Sequence, residues 1–592
     1  MLQTYLDRHT QFSAEAARLR ERSGRLSFYR LVSFVVGLAL VVLAYSYLGL
    51  VVGFVVTLVF LGGFSRFVAY HERVNAARRH ADALARVNAH EAAVLRGDWS
   101  VFADGATYLD PLHPYALDLD LFGPYSFYQF ANRTATALGA DRLADWLARP
   151  ADAATVRQRQ LAVADLSDRL DWRQRFQAHG SNLDDQTDDA RRIEQWLAEP
   201  DFVSNSALRR AAVWIAPFYA LLVVYLMVFH VPAALWIFLL LPPGYVLYRT
   251  RARVDRVHQL TERGGDILAR YAGLIRTVEA ESFAADPLVE LTARFRAGDQ
   301  PPSRRLARLG YLIRQLNLRN NFFAIFFNLA VLWDLRYVWK LERWRAELRT
   351  DLPHWLDALA ELETLISLAT VRANRPAWTF PELHDRAELS ATQLGHPLLK
   401  PDKRVDNDFA TPTRGHIKLL TGSNMAGKST FLRAVGLNLV LARVGSVVCA
   451  QRLALPELEV YTSMRTVDAL HEDTSSFYAE LKRLKFIIEA TEAGRPVYFL
   501  LDEILKGTNS RDRHRGSRAL IDQLIAARGA GIIATHDLEL GDLEATSDGT
   551  VENWRIEVEI EDGELVFDYL LKRGVTRSFN ATELMRRMGI RV

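Results

Sequence analysis

The sequence predicts an α/β P-loop domain at the C-terminal end, a long all-α core and lever region ahead of it, and two transmembrane helical hairpins. Three observations predict this. A glycine-rich loop, TGSNMAGKST, is flanked by a strand-like and a helix-like segment. An apolar run, VYFLL, ends in two acids about seventy residues later. Two long stretches, 31–65 and 211–248, contain no charged side chain.

From the N-terminus, residues 1–26 read as a helical segment, with Arg18, Arg20 and Arg22 at a solvated helix end. The first hairpin covers 27–68. A single crossing needs about 20 apolar residues, so each uncharged stretch suits two short crossings better than one. Gly49 is a candidate turn in the first, and His230 with Pro232 in the second hairpin, 211–248. Arginines bracket both stretches: Arg25 and Arg30 before the first, Arg66 and Arg73 after it, Arg209 and Arg210 before the second, Arg249 and Arg251 after it. The positive-inside bias places all four flanks in the cytoplasm, as a multi-pass protein of the inner membrane. The apolar stretch starts too late and runs too long for a cleavable signal peptide.

Between and after the hairpins, 69–210 and 249–390 read as the two parts of the helical core and lever. Leu138, Leu143, Trp146 and Leu147 follow helical spacing up to Pro150. Residues 322–333 are too short to span and read as a core helix. Residues 335–371 read as long helices broken at Pro353.

Residues 391–592 carry the chemistry. Gly422, Gly427, Lys428 and Ser429 satisfy G-x-x-x-x-G-K-[ST]. Glycines let backbone N–H groups close on phosphate oxygens, the lysine reaches the β/γ-phosphates, and the serine hydroxyl ligates Mg²⁺. Ser423, Asn424, Met425, Ala426 and Thr430 complete the loop. A helix starting there presents unpaired N–H donors to the anion. Val497–Leu501 is apolar throughout, as in a parallel strand buried on both faces. It ends at Asp502, a candidate for the Mg²⁺ shell, and Glu503, a candidate to polarise the attacking water. A third strand, Gly531–Thr535, ends at His536, a candidate γ-phosphate sensor. These residues imply ATP and Mg²⁺.

These motifs resemble the MutS ATPases. Asn-Met inside the P-loop, DEILKGTNSRD after the acids, ATHDLEL, and DTSSFYAE at 473–480 are each similar to a segment of that family. The resemblance implies a MutS-like P-loop ATPase with composite sites in a homodimer. Ser475 is the best match to the signature serine that reaches the opposite subunit's γ-phosphate, with Ser476 as the alternative. Residues 126–166 resemble the family's helical core, and LGHPLL at 394–399 its linker strand. Nothing before residue 126 resembles the family's mismatch-reading domain. DNA is therefore a possible partner rather than a required one, beside the lipid bilayer. The alternative is a membrane-associated mechanochemical or signalling ATPase without DNA. Net charge is +3, too balanced to imply nucleic acid. The one cysteine, Cys449, excludes an internal disulfide and reads as part of a buried strand at 447–450.

Overall fold

The computed structural model describes residues 1–180, 193, 195–203, 207–229, 238, 241–296, 299–320, 328–329, 331–423, 426–465, 476–561 and 564–576. Asn424, Met425, Ser475, His230, Pro232 and most of 322–333 lie outside the described residues.

Two 46-residue helices open the chain, α1 (Leu2–Tyr47) and α2 (Leu50–Leu95), joined at Gly49 with φ +85°. Glycine adopts this left-handed conformation without steric cost. The pair runs antiparallel and closely packed: a Cβ on Gly37 would lie 2.0 Å from the Phe60 ring. Both helices are long and apolar enough to cross a membrane, and their apolar stretches are almost wholly exposed. Phe28, Leu31, Val35, Phe54 and Leu58 all face outward. The boundary expected at 26/27 falls inside α1, and Arg18, Arg20 and Arg22 lie mid-helix, exposed, rather than at an end. The chain is helix-forming on both sides of that point, and Gly24, the one glycine there, lies inside α1 without ending it, with no proline nearby.

The helical core follows: α3 (Phe127–Ala131), α4 (Ala137–Ala148), α5 (Ala153–Ser167), α6 (Leu170–Gly180), α7 (Ala207–Val228), α8 (Leu241–Thr261), α9 (Gly264–Glu279), α10 (Asp286–Ala293), α11 (Pro302–Asn317), α12 (Trp333–Leu348) and α13 (Asp351–Asn374). Local caps set several starts. Ser126, Thr136 and Asp152 each accept a backbone N–H from the first turn of α3, α4 and α5. Helix α13 is buried along most of its length. Its Glu363 accepts the N–H groups of Ala135 and Thr136, both at 3.0 Å, and so fixes the turn before α4. The break between α12 and α13 is at Arg349–Thr350, ahead of Pro353. Pro353 sits in the first turn of α13, where a missing N–H costs no helical bond.

The C-terminal part holds two sheets. The smaller has the order β1 (Glu382–Leu383), β5 (Arg452–Leu455), β2 (Glu388–Leu394), β3 (Asn407–Pro412). The strand expected at 394–399 ends at Leu394. Pro397 has no N–H for a ladder, and Gly395 N–H bonds Cys449 O at 2.9 Å instead. Residues 447–450 are buried but form no strand: Val448 makes an isolated bridge to Thr379, and Cys449 N–H donates to Asn438 Oδ1 at 2.7 Å.

The larger sheet has six strands in the order β10 (Glu564–Arg573), β9 (Val551–Glu561), β4 (His416–Thr421), β8 (Ala530–Thr535), β7 (Val497–Asp502), β6 (Glu459–Ser463). Only β10 runs antiparallel. Every residue of β7 and β8 is buried. Helices α14 (Lys428–Val444), α15 (Ser476–Glu492) and α16 (Ser510–Ala526) belong to this sheet. Thr421 pairs with Thr535 and Asp502 with Ala534, so β4, β8 and β7 end level with one another.

A charged cluster ties β4, β9 and β10. Buried Lys418 reaches Glu552, which also accepts Trp554 Nε1 at 2.7 Å and pairs with Arg573. Burial alone would raise the Glu552 carboxyl. The bonds from Lys418 and Trp554 and the charges of Lys418 and Arg573 outweigh it and hold the pKa at about 2, against an ordinary 4.5. A depressed carboxylate stabilises the fold fully above about pH 4.5, and that contribution is lost as pH falls toward 2. Glu552→Gln is expected to lower the thermal midpoint at pH 7 and to flatten the acid limb between those values. Unfolding curves of the two proteins that keep the same acid slope would contradict this.

Candidate functional site

The level strand ends place the loop after β4 beside the acids after β7 and the histidine after β8. In parallel sheets this C-terminal edge is where ligands bind. Gly427 is the N-cap of α14, with φ +95°. A Cβ there would meet Tyr569 Cδ1 at 2.9 Å, and one on Gly422 would meet the Ile556 carbonyl oxygen at 2.6 Å. Both positions therefore require glycine, one for conformation and one for backbone approach. Gly427→Ala is expected to cost about 1–2 kcal/mol from the left-handed strain alone. Adding Tyr569→Ala should relieve the contact and leave that cost, which thermal unfolding of the single and double variants measures.

Lys428 is 4% exposed, and its Nζ donates to Gly422 O at 2.7 Å and Ser423 O at 2.9 Å. Two of its three N–H donors thus brace the loop. Burial pushes its pKa down, while the carboxylates of Glu503 and Asp502 oppose the shift. Ala426 is buried and bonds back to Ser423 O at 3.1 Å. Ser429 is half-buried in the first turn of α14, and Thr430 is exposed.

Asp502 is 8% exposed, and its Oδ1 is buried without a hydrogen-bond partner among the described residues. A carboxylate oxygen left in this way is costly unless a cation or donor meets it. The Ser429 hydroxyl and Asp502 are both hard oxygen donors, the type Mg²⁺ takes. Glu503 is left-handed, at φ +52°, and its N–H bonds Ala534 O at 2.8 Å, extending the β7–β8 ladder by one step. Its carboxylate lies 3.4 Å from Lys506 Nζ and 3.4 Å from His536 Nδ1. Burial would raise the Glu503 pKa. Lys506, His536 and Lys428 pull it below the ordinary value, so the carboxylate is ionised. His536 is exposed on its free side. Beside the acids, a cavity of about 700 Å³ is lined by Asp502, Glu503, Lys506, Glu480, Arg465 and Asp118.

The structure therefore brings Gly422, Ser423, Ala426, Gly427, Lys428, Ser429, Thr430, Asp502, Glu503 and His536 to one sheet edge. Lys506 and Tyr569 were not anticipated. Lys506 follows Glu503 by three residues, a spacing that could have flagged it. Tyr569 reaches the loop only because β10 folds back on β9.

Fold and site define a mostly parallel α/β domain whose glycine-lined loop, paired acids and histidine converge at the strand ends. Residues 418–586 match MutS domain V. The "DNA mismatch repair protein MutS" of Aquifex pyrophilus is 31% identical over 255 residues, 41% of this chain and 29% of the relative. The proteins of the same name from Thermotoga neapolitana and Chlorobium phaeovibrioides are 34% identical over 231 residues and 33% over 241. They are matched over 28% and 27% of their own lengths, so the chain aligns with less than a third of each relative. The likeness to the MutS family lies in this C-terminal domain.

Proposed function

We propose that this chain is a membrane-anchored, MutS-like ATPase that binds Mg-ATP at the β4–β8–β7 edge and hydrolyses it in a homodimer. The observation that carries the reading is the convergence of the braced Lys428 with the partnerless Asp502 oxygen and the ionised Glu503. The backbone donors of 422–429 and Lys428 would hold the phosphates, and Ser429 and Asp502 the Mg²⁺. Mg²⁺ would supply charge neutralisation on the phosphates. Glu503 would accept a proton from, or orient, the attacking water, and His536 would restrain Glu503 and meet the γ-phosphate. Ser475 would complete the partner's site. Steady-state ATPase measurements with Mg²⁺ on the purified full chain test the reading, and dependence of the rate on protein concentration tests the dimer.

The outward-facing apolar parts of α1 and α2 support insertion in the inner membrane as a hairpin, with Gly49 on the far side. Helices α7 and α8 carry exposed Trp214, Phe218, Leu221, Tyr225 and Tyr245, which supports a second hairpin. A cysteine at Gly49, in a Cys449→Ser background, is expected to react with an impermeant reagent in intact cells, while one at Ala140 stays unlabelled. Release of the protein by salt without detergent would end the membrane reading.

The relatives' names connect them to DNA mismatch repair. By that relationship DNA is a proposed partner of this chain. The second apolar helix pair, within the helical core, favours the other reading, in which nucleotide-driven motion acts on the membrane. A duplex- and branched-DNA titration in detergent at two salt concentrations separates them.

A further inference from the structure

Helices α11 and α12 enclose a groove of about 280 Å³ whose lining carries three cations, Arg308, Lys340 and Arg343, two tryptophans, Trp339 and Trp344, and one carboxylate, Glu347, beside Leu312. Arg336 lies on the same helix one turn from Lys340. Among the described residues, no ion pair or side-chain hydrogen bond engages Arg308, Arg336, Lys340 or Arg343. The neighbouring arginines Arg305, Arg319 and Arg345 are all paired, with Asp351, Asp334 and Asp201. The unpaired cations rest on rings instead. Lys340 Nζ is 4.6 Å from the Tyr337 ring centre, Arg343 is 5.6 Å from that of Trp339, and Arg308 5.3 Å from that of Tyr311. Burial and the charges of Arg336 and Arg308 together depress the Lys340 pKa. The cations are thus close enough to repel one another. Three cations against the single carboxylate of Glu347 leave the groove with an excess of positive charge, Lys340 half-buried and Arg308 and Arg343 exposed at its rim, and guanidinium groups match phosphate oxygens two at a time.

The groove's place in the fold narrows the source. Helix α12 packs against α7 and α8. Its Glu342 accepts Phe202 N–H at 2.8 Å, just ahead of α7, and Arg319 pairs with Asp255 of α8 at 2.6 Å. Asp255 lies seven residues beyond the exposed Tyr248. The groove therefore adjoins the charged ends of the second apolar helix pair. Tryptophan with lysine or arginine is the composition of a bilayer interface.

We propose that the α11–α12 groove binds a phosphate group, carried by an anionic lipid headgroup or free in solution. The lipid source rests on the membrane reading; the phosphate chemistry does not. The test uses the full chain in neutral detergent, titrated calorimetrically with dihexanoyl phosphatidylglycerol, dihexanoyl phosphatidylcholine and inorganic phosphate. The Lys340→Ala/Arg343→Ala double variant is compared with wild type, and Arg349→Ala, exposed and outside the groove, serves as control. Lipid headgroup binding predicts tight association of the phosphatidylglycerol with wild type and Arg349→Ala, weakened on the order of tenfold in the double variant, with little binding of the zwitterionic lipid. A loss of the same size for inorganic phosphate would identify the free ion as the source. Both anions binding wild type and double variant equally would overturn the proposal. So would a dependence on Lys340 and Arg343 that appears only for duplex DNA. Thermal unfolding shows that each variant is folded, and salt extraction tests the membrane reading separately.

Discussion

Lys428→Ala is expected to abolish ATP turnover and to weaken nucleotide binding to the limit of detection. The substitution removes a buried cation from beside Asp502 and Glu503. It also removes the two bonds, to Gly422 O and Ser423 O, that hold the loop's shape. Glu503→Gln should behave differently. The amide keeps the volume and can still accept from His536 or Lys506, but it cannot take a proton. Turnover should fall on the order of a hundredfold or more, with ATP affinity retained. Fluorescent-nucleotide binding and single-turnover hydrolysis separate the two outcomes. Full turnover by Glu503→Gln would remove that residue from its role with water, whatever Lys428→Ala does.

The second large effect concerns stability. Glu91 of α2 and Arg133 of the α3–α4 turn form an ion pair with side chains 3% and 4% exposed. Arg133 also donates to Phe130 O at 3.0 Å and Asn132 O at 2.9 Å. Asn374, the last residue of α13, donates to Glu91 Oε2 at 2.7 Å and accepts from Tyr5 OH of α1 at 2.8 Å. The Tyr5 hydroxyl is pushed well above its ordinary pKa by burial and by the Glu91 charge, so it remains a donor. Glu91→Ala leaves a buried guanidinium without its counter-charge, and should cost about 3–5 kcal/mol. Removing both charges, as in Glu91→Leu/Arg133→Met, should cost less than Glu91→Ala alone. Denaturation in detergent checks both values; a single-variant loss below about 1 kcal/mol would mean that water reaches the pair.

Three strands of the larger sheet, β4, β7 and β8, and the edge they share were legible because their signals are local, whereas β6, β9 and β10 were not anticipated. All-apolar runs such as 497–501 identify buried parallel strands, and the residue after each run falls at the same edge. The gly-rich loop, both acids and His536 follow from that. The hairpin turn at Gly49 was equally legible, since a glycine interrupts two apolar helical runs. What remained hidden depends on distant pairing. Cys449 sits in an apolar run that looks like a strand, yet its N–H goes to Asn438, eleven residues back on α14. The network around Glu91 joins residues 5, 91, 133 and 374, and no spacing rule connects them. The break at Arg349–Thr350 was misplaced onto Pro353 because proline marks either a helix stop or a first turn, and only the cap position distinguishes them.

At 1.5 Å per residue, the 46 residues of α1 span roughly 70 Å. That is more than twice the thickness of a hydrocarbon core of about 30 Å. The base of this rod is gripped at Tyr5 and Glu91 by the end of α13, the helix that leads into the two-sheet C-terminal part. A tilt of only about 5° at that grip would carry the Gly49 turn through roughly 6 Å over the helix length. The hairpin is geometrically an indicator needle: an angular adjustment too small to disturb packing around Asn374 becomes, at the far tip, a displacement comparable to the width of a lipid chain.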